Sequence, residues 1–402
     1  MKNFGTIYTY ELKKLLKKKI VFVTAAVILV TLIFTACGGV LGNYYVDGEA
    51  VDSHYNMLKT DAAYARALNG RKIDQQLLEE TQAAYGKMPE GVERYTLTEE
   101  YQKYARPYSA IHNFIVQSLT IPYEEVNGWK ADEAELYADR EKELEKEWEE
   151  LGLTEAQKEY WRKEGQQRAI PYTYYYADGW ETLGSSGYTF ALIMLLMAAI
   201  CLSGVFTEEH SRRTDQLLLC SRYGRRELYW AKILAGITFA GVGALLYTAF
   251  MTLIIFLIYG ADGGMALIQF LYPNCPQTVT LMETAFILYG TILIAVVMTG
   301  VFVMVLSELL HSSIGTLSIV SGILLVTMFV NIPEGWKVFS QLWDFIPSNF
   351  AFVGTAFSGK LISVGAMHLM PRTVAPVLYL LLTVLFAAAG KKIYEKYQVS
   401  GR

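Results

Sequence analysis

The chain has 402 residues, 53% of them hydrophobic and only 18% charged, which places it on the membrane side of the globular range. Its net charge of −4 conceals two opposed parts: residues 42–187 carry 16 basic and 28 acidic residues, and the remainder is net positive. That positive charge sits in short strips beside apolar stretches rather than on a basic face, which argues against a nucleic-acid partner.

Residues 1–19 place Phe4, Ile7, Tyr8, Leu12, Leu15 and Leu16 at helical spacing with lysines opposite. The pattern predicts an amphipathic helix lying in the membrane interface. Residues 20–41 form the first stretch able to cross a bilayer, which needs about 20 apolar residues. Its "LIFTAC" ending at Cys37 loosely resembles a lipoprotein cleavage box. The long lysine-rich lead and the spans that follow favour an uncleaved anchor.

Residues 42–187 read as one acidic, mainly helical domain. Leu136, Leu144, Trp148 and Leu151 form a stripe among Glu/Lys pairs. Gly152 is placed to end that helix, and Thr154 with Gln157 to open the next through a capping box. Segments 50–85 and 98–119 also read as helical. The charge run reads as a solvated helix face; capture of a cationic substrate is the functional alternative. The aromatic run 170–183 returns the chain to the membrane, where Tyr and Trp favour the headgroup level.

Residues 188–402 hold five more apolar stretches, at 188–207, 233–259, 284–307, 313–332 and 373–390. The expected fold is therefore an all-α integral membrane protein with six transmembrane helices, an N-terminal interfacial helix and a helical extracellular domain. A polar insert, 208–232, separates the second and third spans. Segment 333–370 is semi-apolar and aromatic, short of a full span, and is expected to fold as short helices dipping into the outer leaflet. Such backbone is tolerated where protein buries it.

Orientation follows from lysine and arginine beside the span ends. Lys13, Lys14, Lys17, Lys18 and Lys19 precede the first span; Arg212, Arg213, Arg222, Arg225, Arg226 and Lys232 occupy the insert; Lys391, Lys392, Lys396 and Arg402 end the chain. Six spans put all three groups on one side, the cytoplasm, with both termini. Loop 260–283 contains no lysine or arginine and falls outside, as do residues 42–187. The expected location is the plasma membrane.

The chain offers little chemistry of its own. The four cysteines, Cys37, Cys201, Cys220 and Cys275, have neither a disulfide framework nor paired zinc spacing. The histidines, His54, His112, His210, His311 and His368, are scattered and read as structural or exposed. "GTAFSGK" at 354–360 fits most of a P-loop, but Leu361 stands where a metal-binding Ser or Thr is required. No catalytic residue, bound cofactor or metal site is expected. The six apolar stretches hold no Asp, Glu, Lys, Arg or His, which argues against a proton- or ion-coupled transporter and against voltage sensing. Energy for uphill transport must then come from a partner, and the insert is the natural place for it to dock.

The insert "GVFTEEHSRRTDQLLLCSRYGRRELYWAKILAG" carries a resemblance. It is similar to the membrane subunits of type-2 ATP-binding-cassette exporters, the ABC-2 permeases common in Gram-positive bacteria. Those have an acid after the second span, a Thr, a Leu run, a Ser-x-x-Gly-Arg segment and a Lys opening the third span. Here these are Glu208 or Glu209, Thr214, Leu217, Leu218 and Leu219, Ser221, Gly224 with Arg225, and Lys232. "YYADGW" before the second span is similar too.

The resemblance implies a second permease subunit, identical or related, and cytoplasmic ABC ATPase subunits that hold the ATP and magnesium. It implies a coupling helix at about 212–223, starting at Arg212, and an outer gate formed by 333–370. Thr214 is placed to cap that helix. The implied function is export of a peptide, lipid-like or antimicrobial compound. A peptide-sensing or immunity module using the outer domain, and an ATP-independent channel or receptor, remain alternatives.

Overall fold

A computed structural model describes residues 2–46, 49–88, 95–119, 132–211, 214, 221, 223–224, 226–365 and 367–396. The fold is all-helical apart from two small antiparallel hairpins, β1 (Asn43–Val46) with β2 (Glu49–Ser53) and β3 (Ile362–Val364) with β4 (Met367–Leu369).

Helix α1 (Lys2–Leu16) turns at Lys17 and Lys18 into α2 (Lys19–Cys37). The region that follows contains α3 (His54–Ala67), α4 (Gln75–Tyr85), α5 (Ser109–Leu119), α6 (Glu133–Glu150) and α7 (Glu155–Gly165). Then come α8 (Asp178–Ser185), α9 (Gly187–Leu202), α10 (Gly204–Ser211) and the long α11 (Arg226–Tyr259). The remainder is α12 (Leu281–Leu310), α13 (Ser313–Phe329), three short helices α14 (Lys337–Asp344), α15 (Pro347–Phe350) and α16 (Val353–Ala356), and α17 (Pro371–Lys396).

Among the described residues, five helical stretches are long and apolar enough to cross a membrane: Lys19–Val40, Gly187–Ser211, Arg226–Tyr259, Leu281–Leu310 and Pro371–Lys396. The expected sixth, 313–332, is the shorter apolar helix Ser313–Phe329 of 17 residues. Helix α12 is the central post. It packs against α9, α11, α13 and α17, and a capping box starts it, with Glu283 accepting from the Thr280 N–H at 2.8 Å and Thr280 accepting from the Glu283 N–H at 3.2 Å. Helices α2, α11 and α17 bury one side and leave rows of Val, Leu and Phe exposed, as lipid-facing helices do. Close contact between helices uses small residues: a Cβ on Gly390 of α17 would lie 2.5 Å from a Val305 methyl and 2.6 Å from the Tyr229 hydroxyl.

The structure corrects one inference from the apolar stretches. Helix α11 begins seven residues before the expected span and α12 runs three beyond it. Lys232 and Glu308, respectively 0% and 1% exposed, therefore sit within continuous long helices. Carboxylates, lysines, arginines and histidines are absent from the middles of these helices but not from their ends.

The region between α2 and α8 has its own core of Ile73, Leu77, Leu78, Ile111, Leu136 and Tyr172 with their neighbours. The helix expected over 50–85 is instead strand β2, then α3 and α4, interrupted at Gly70 in the left-handed region (φ 80°). The predicted capping box at Thr154 and Gln157 is present, and Gly152 takes a left-handed φ of 63° beyond α6.

His112, 2% exposed, stacks on Tyr85 with ring centroids 3.7 Å apart. Burial pushes its pKa from 6.5 down to about 4. The unfolded ring takes a proton that the folded ring refuses, so stability is lost as pH falls through this window, fully so below its lower end. At about 1.4 kcal/mol for each tenfold change in proton affinity, the loss amounts to about 3 kcal/mol. Thermal melts of the detergent-solubilised protein should show the region between α2 and α8 weakening from pH 6.5 towards 4. His112→Phe, which keeps the stack, should flatten that dependence; an unchanged pH profile in the variant would contradict the assignment.

Candidate functional site

The end of the helix bundle where α1, α10 and α11 meet is built around one buried ammonium. Lys232 Nζ lies 2.6 Å from Glu209 Oε1, 2.9 Å from Glu11 Oε2 and 3.3 Å from the Val205 carbonyl. Its two carboxylate partners are themselves buried, Glu209 at 7% and Glu11 at 8% exposure. Lys14 reaches Glu209 at 3.3 Å and Glu208 at 3.9 Å, and Lys18 reaches Glu208 at 3.0 Å and the Gly204 carbonyl at 3.3 Å. Three cations thus face three carboxylates.

The physics of this cluster is unforgiving. A charge withdrawn from water is tolerated only when paired and hydrogen-bonded, and removing one partner strands the other. The pairs here join three separate elements. Helix α1 and the turn after it supply Glu11, Lys14 and Lys18, α10 supplies Glu208 and Glu209, and α11 supplies Lys232. Helix α10 runs into the polar insert and α11 leaves it, so Glu209 and Lys232 clamp the two ends of the insert together.

A second set of contacts joins the insert to the last helix. Phe206, Tyr229 and Tyr394 form a tilted aromatic cluster with centroids 5.5–5.7 Å apart. The Tyr229 hydroxyl donates to the Ala387 carbonyl at 2.6 Å, and that of Tyr394 to the Gly224 carbonyl at 3.0 Å. Gly224 is buried there, after a turn in which its N–H donates to the Ser221 carbonyl at 3.1 Å. Thr214 closes α10 from the other direction: its N–H and its hydroxyl donate to the Glu209 carbonyl at 3.0 and 3.4 Å.

Of the residues singled out in the sequence, the structure brings together Glu208, Glu209 and Lys232, sets Thr214 on the Glu209 carbonyl, and places Gly224 against Tyr394 with Ser221 in the turn before it. Arg212, Leu217, Leu218, Leu219 and Arg225 lie outside the described residues. Sequence reasoning missed Glu11, Tyr229 and Tyr394. It also read Lys14 and Lys18 only as topology charges. One signal was available: Glu11 is the sole acid in the first 46 residues, standing among lysines on a helix that otherwise reads as a basic flank.

At the other end of the bundle, the region between α2 and α8 is fastened to segment 333–370. Trp161, fully buried, donates from Nε1 to the Gly359 carbonyl at 2.7 Å. Gln157 donates to the Leu361 carbonyl at 3.2 Å and Lys337 to the Gly152 carbonyl at 2.7 Å. Arg140, 3% exposed, donates to the carbonyls of Pro273 and Cys275 in the 260–280 loop. Lys360 ends the P-loop look-alike, but it bonds Glu334, Ser340 and Asp344 rather than facing a phosphate cradle.

A bundle of long apolar helices, with a paired ionic cluster at one end and a folded polar region at the other, is the architecture of a multi-pass membrane protein. The family model for ABC-2 family transporter proteins matches residues 6–349, which span both the ionic cluster and the insert. The chain belongs to that family: it is a membrane permease component of an ATP-binding-cassette transporter. No curated protein matches it.

Proposed function

We propose that the chain is one of two permease subunits of an ATP-driven exporter, and that the insert between α10 and α11 receives the motion of cytoplasmic ABC ATPases. Six spans cross the plasma membrane, with α13 as the fifth. Its 17 residues cover about 25 Å at 1.5 Å per residue, and extended residues up to 332 complete the crossing. Both termini and residues 208–232 face the cytoplasm, residues 42–187 face outside, and α1 lies in the inner interface. ATP and magnesium stay on the partner.

The observation that carries this reading is the Glu11–Lys232–Glu209 cluster. A docking loop transmits force only if its ends are held rigidly to the helices it must move, and this cluster holds both. Within the insert, Arg212, Leu217, Leu218, Leu219, Ser221 and Arg225 form the ATPase contact, apolar anchors bordered by polar groups. The outer gate is 333–370. The substrate is a peptide, lipid-like or antimicrobial compound. One observation favours a sensing or immunity role as the second reading: Trp161 and Lys337 tie the outer region to the gate segment, so a ligand held outside could bias the gate.

The test is co-purification. With its ATPase co-expressed, the wild-type chain should retain that partner in mild detergent, and Leu218→Asp should lose most of it while still inserting in the membrane. A cysteine at Glu133 should label from outside the cell. Full ATPase retention by Leu218→Asp would sink the docking role, and labelling at 133 only after lysis would reverse the topology.

A further inference from the structure

Beside the ionic cluster lies a second group that this function does not use. His210 on α10 meets Glu308 and His311 at the end of α12. One donor atom from each lies within 4.8 Å of the others. His210 Nε2 is 3.1 Å from Glu308 Oε2, and the two imidazoles sit edge to face with centroids 4.3 Å apart. We propose that His210, Glu308 and His311 bind a divalent transition-metal cation of the zinc class, pinning the start of the insert to the end of the central helix.

The chemistry of the donors points to that class. Two imidazoles and one carboxylate suit zinc and its neighbours, whereas calcium and magnesium prefer all-oxygen sets. Glu308 is 1% exposed, and its Oε1 has no hydrogen-bond partner among the described residues. A carboxylate so deeply buried calls for a positive charge, and a divalent cation between the three side chains supplies one.

The backbone is consistent with this role. His311 sits beyond the last turn of α12 at φ 51°, a left-handed conformation usually taken there by Gly or Asn. An imidazole at this position faces His210, which a glycine would not. Tetrahedral zinc with bonds of about 2.0–2.1 Å holds its ligands roughly 3.3 Å apart. Side-chain movements on the order of 1 Å bring the set to that spacing.

Three protein ligands leave the fourth position for water, as in open zinc sites. On binding, the imidazole nitrogens coordinate in their unprotonated form, and the hydrogen bond from His210 to Glu308 gives way to metal bonds. Binding should therefore weaken as pH falls and the rings take protons. The bond network would cross from α10 to α12, joining residues 98 positions apart. Since α10 leads into the insert, a bound metal would hold that end still. This consequence rests on the coupling role proposed above; the site itself does not.

The test uses full-length protein in detergent titrated with Zn2+ alone, followed by calorimetry, with Co2+ as a spectroscopic substitute. One saturable equivalent is expected. His311→Gly suits the left-handed backbone and should fold normally, yet weaken binding by about tenfold or more, the scale on which even supporting groups around a metal act. Glu308→Gln should do the same, and His368→Ala, in the distant β3–β4 hairpin, should change nothing. No stoichiometric uptake by the wild type, or equal affinity in His311→Gly, would overturn the site. In the assembled complex, Zn2+ should slow ATP turnover of the wild type and not of His311→Gly. Stoichiometric binding without inhibition would overturn the pinning alone and leave the coupling role of the insert standing. Loss of ATPase by Leu218→Asp is read separately and bears only on that role.

Discussion

Replacing Lys232 by Met should be the most damaging single change at the end of the helix bundle that carries the insert. It leaves Glu11 and Glu209 buried and facing each other, where the ammonium had been 2.9 and 2.6 Å away. Breaking a buried pair by removing one partner costs about 3–5 kcal/mol. A fall in melting temperature and in yield of folded protein should follow. Part of the Glu209 charge remains compensated by Lys14 at 3.3 Å, so Glu11 bears most of the loss.

A triple variant, Lys232→Met with Glu11→Gln and Glu209→Gln, removes the stranded charges and should recover much of the stability. If the cluster transmits motion, the triple variant should fold and insert while coupling between ATP turnover and transport stays low. Wild-type coupling in a stable triple variant would show that the charges serve only folding.

Trp161→Ala should have the largest effect at the opposite end of the bundle. The indole is fully buried with Leu144, Trp148 and Leu361 and donates to the Gly359 carbonyl. Truncating a buried tryptophan costs about 3–5 kcal/mol, and here a backbone acceptor also loses its donor. The small core joining α6 and α7 to segment 333–370 depends on this one side chain. Hydrogen exchange at 357–363 and in α7 should rise sharply, while α12 keeps its protection. Unchanged exchange at 357–363 would mean that α6 and α7 hold to segment 333–370 without Trp161. If the sensing reading is right, the same variant should also lose any response of ATP turnover to an external peptide.

Much of the architecture can be read along the chain because it rests on local or near-local rules. Runs of about 20 apolar residues announce helices that satisfy their own backbone in lipid. The caps at Thr154, Thr280 and Gly152 are local chemistry, and the glutamate-rich stripe of α6 follows from helical period. The insert stands out as a compact polar block between apolar runs, which is enough to mark Glu208, Glu209 and Lys232 as worth testing and to suggest the family.

What the sequence could not reveal are contacts made across the fold. Glu11 and Lys232 are 221 residues apart, and Trp161 and Gly359 are 198 apart. No periodicity links such positions. Hydropathy also leaves Lys232 and Glu308 outside the helices that contain them, because it sees where apolar runs stop and not where helices stop. The scattered histidines give no ligand spacing for the same reason: His210 joins Glu308 and His311 only when α10 is laid against α12. The sequence by itself determined a helical membrane protein and its polar insert, since solvent preference and helix geometry act residue by residue. Only the tertiary structure decided which buried charges meet, because a charge taken out of water is stable only beside its partner, and that partner is set by how the helices assemble.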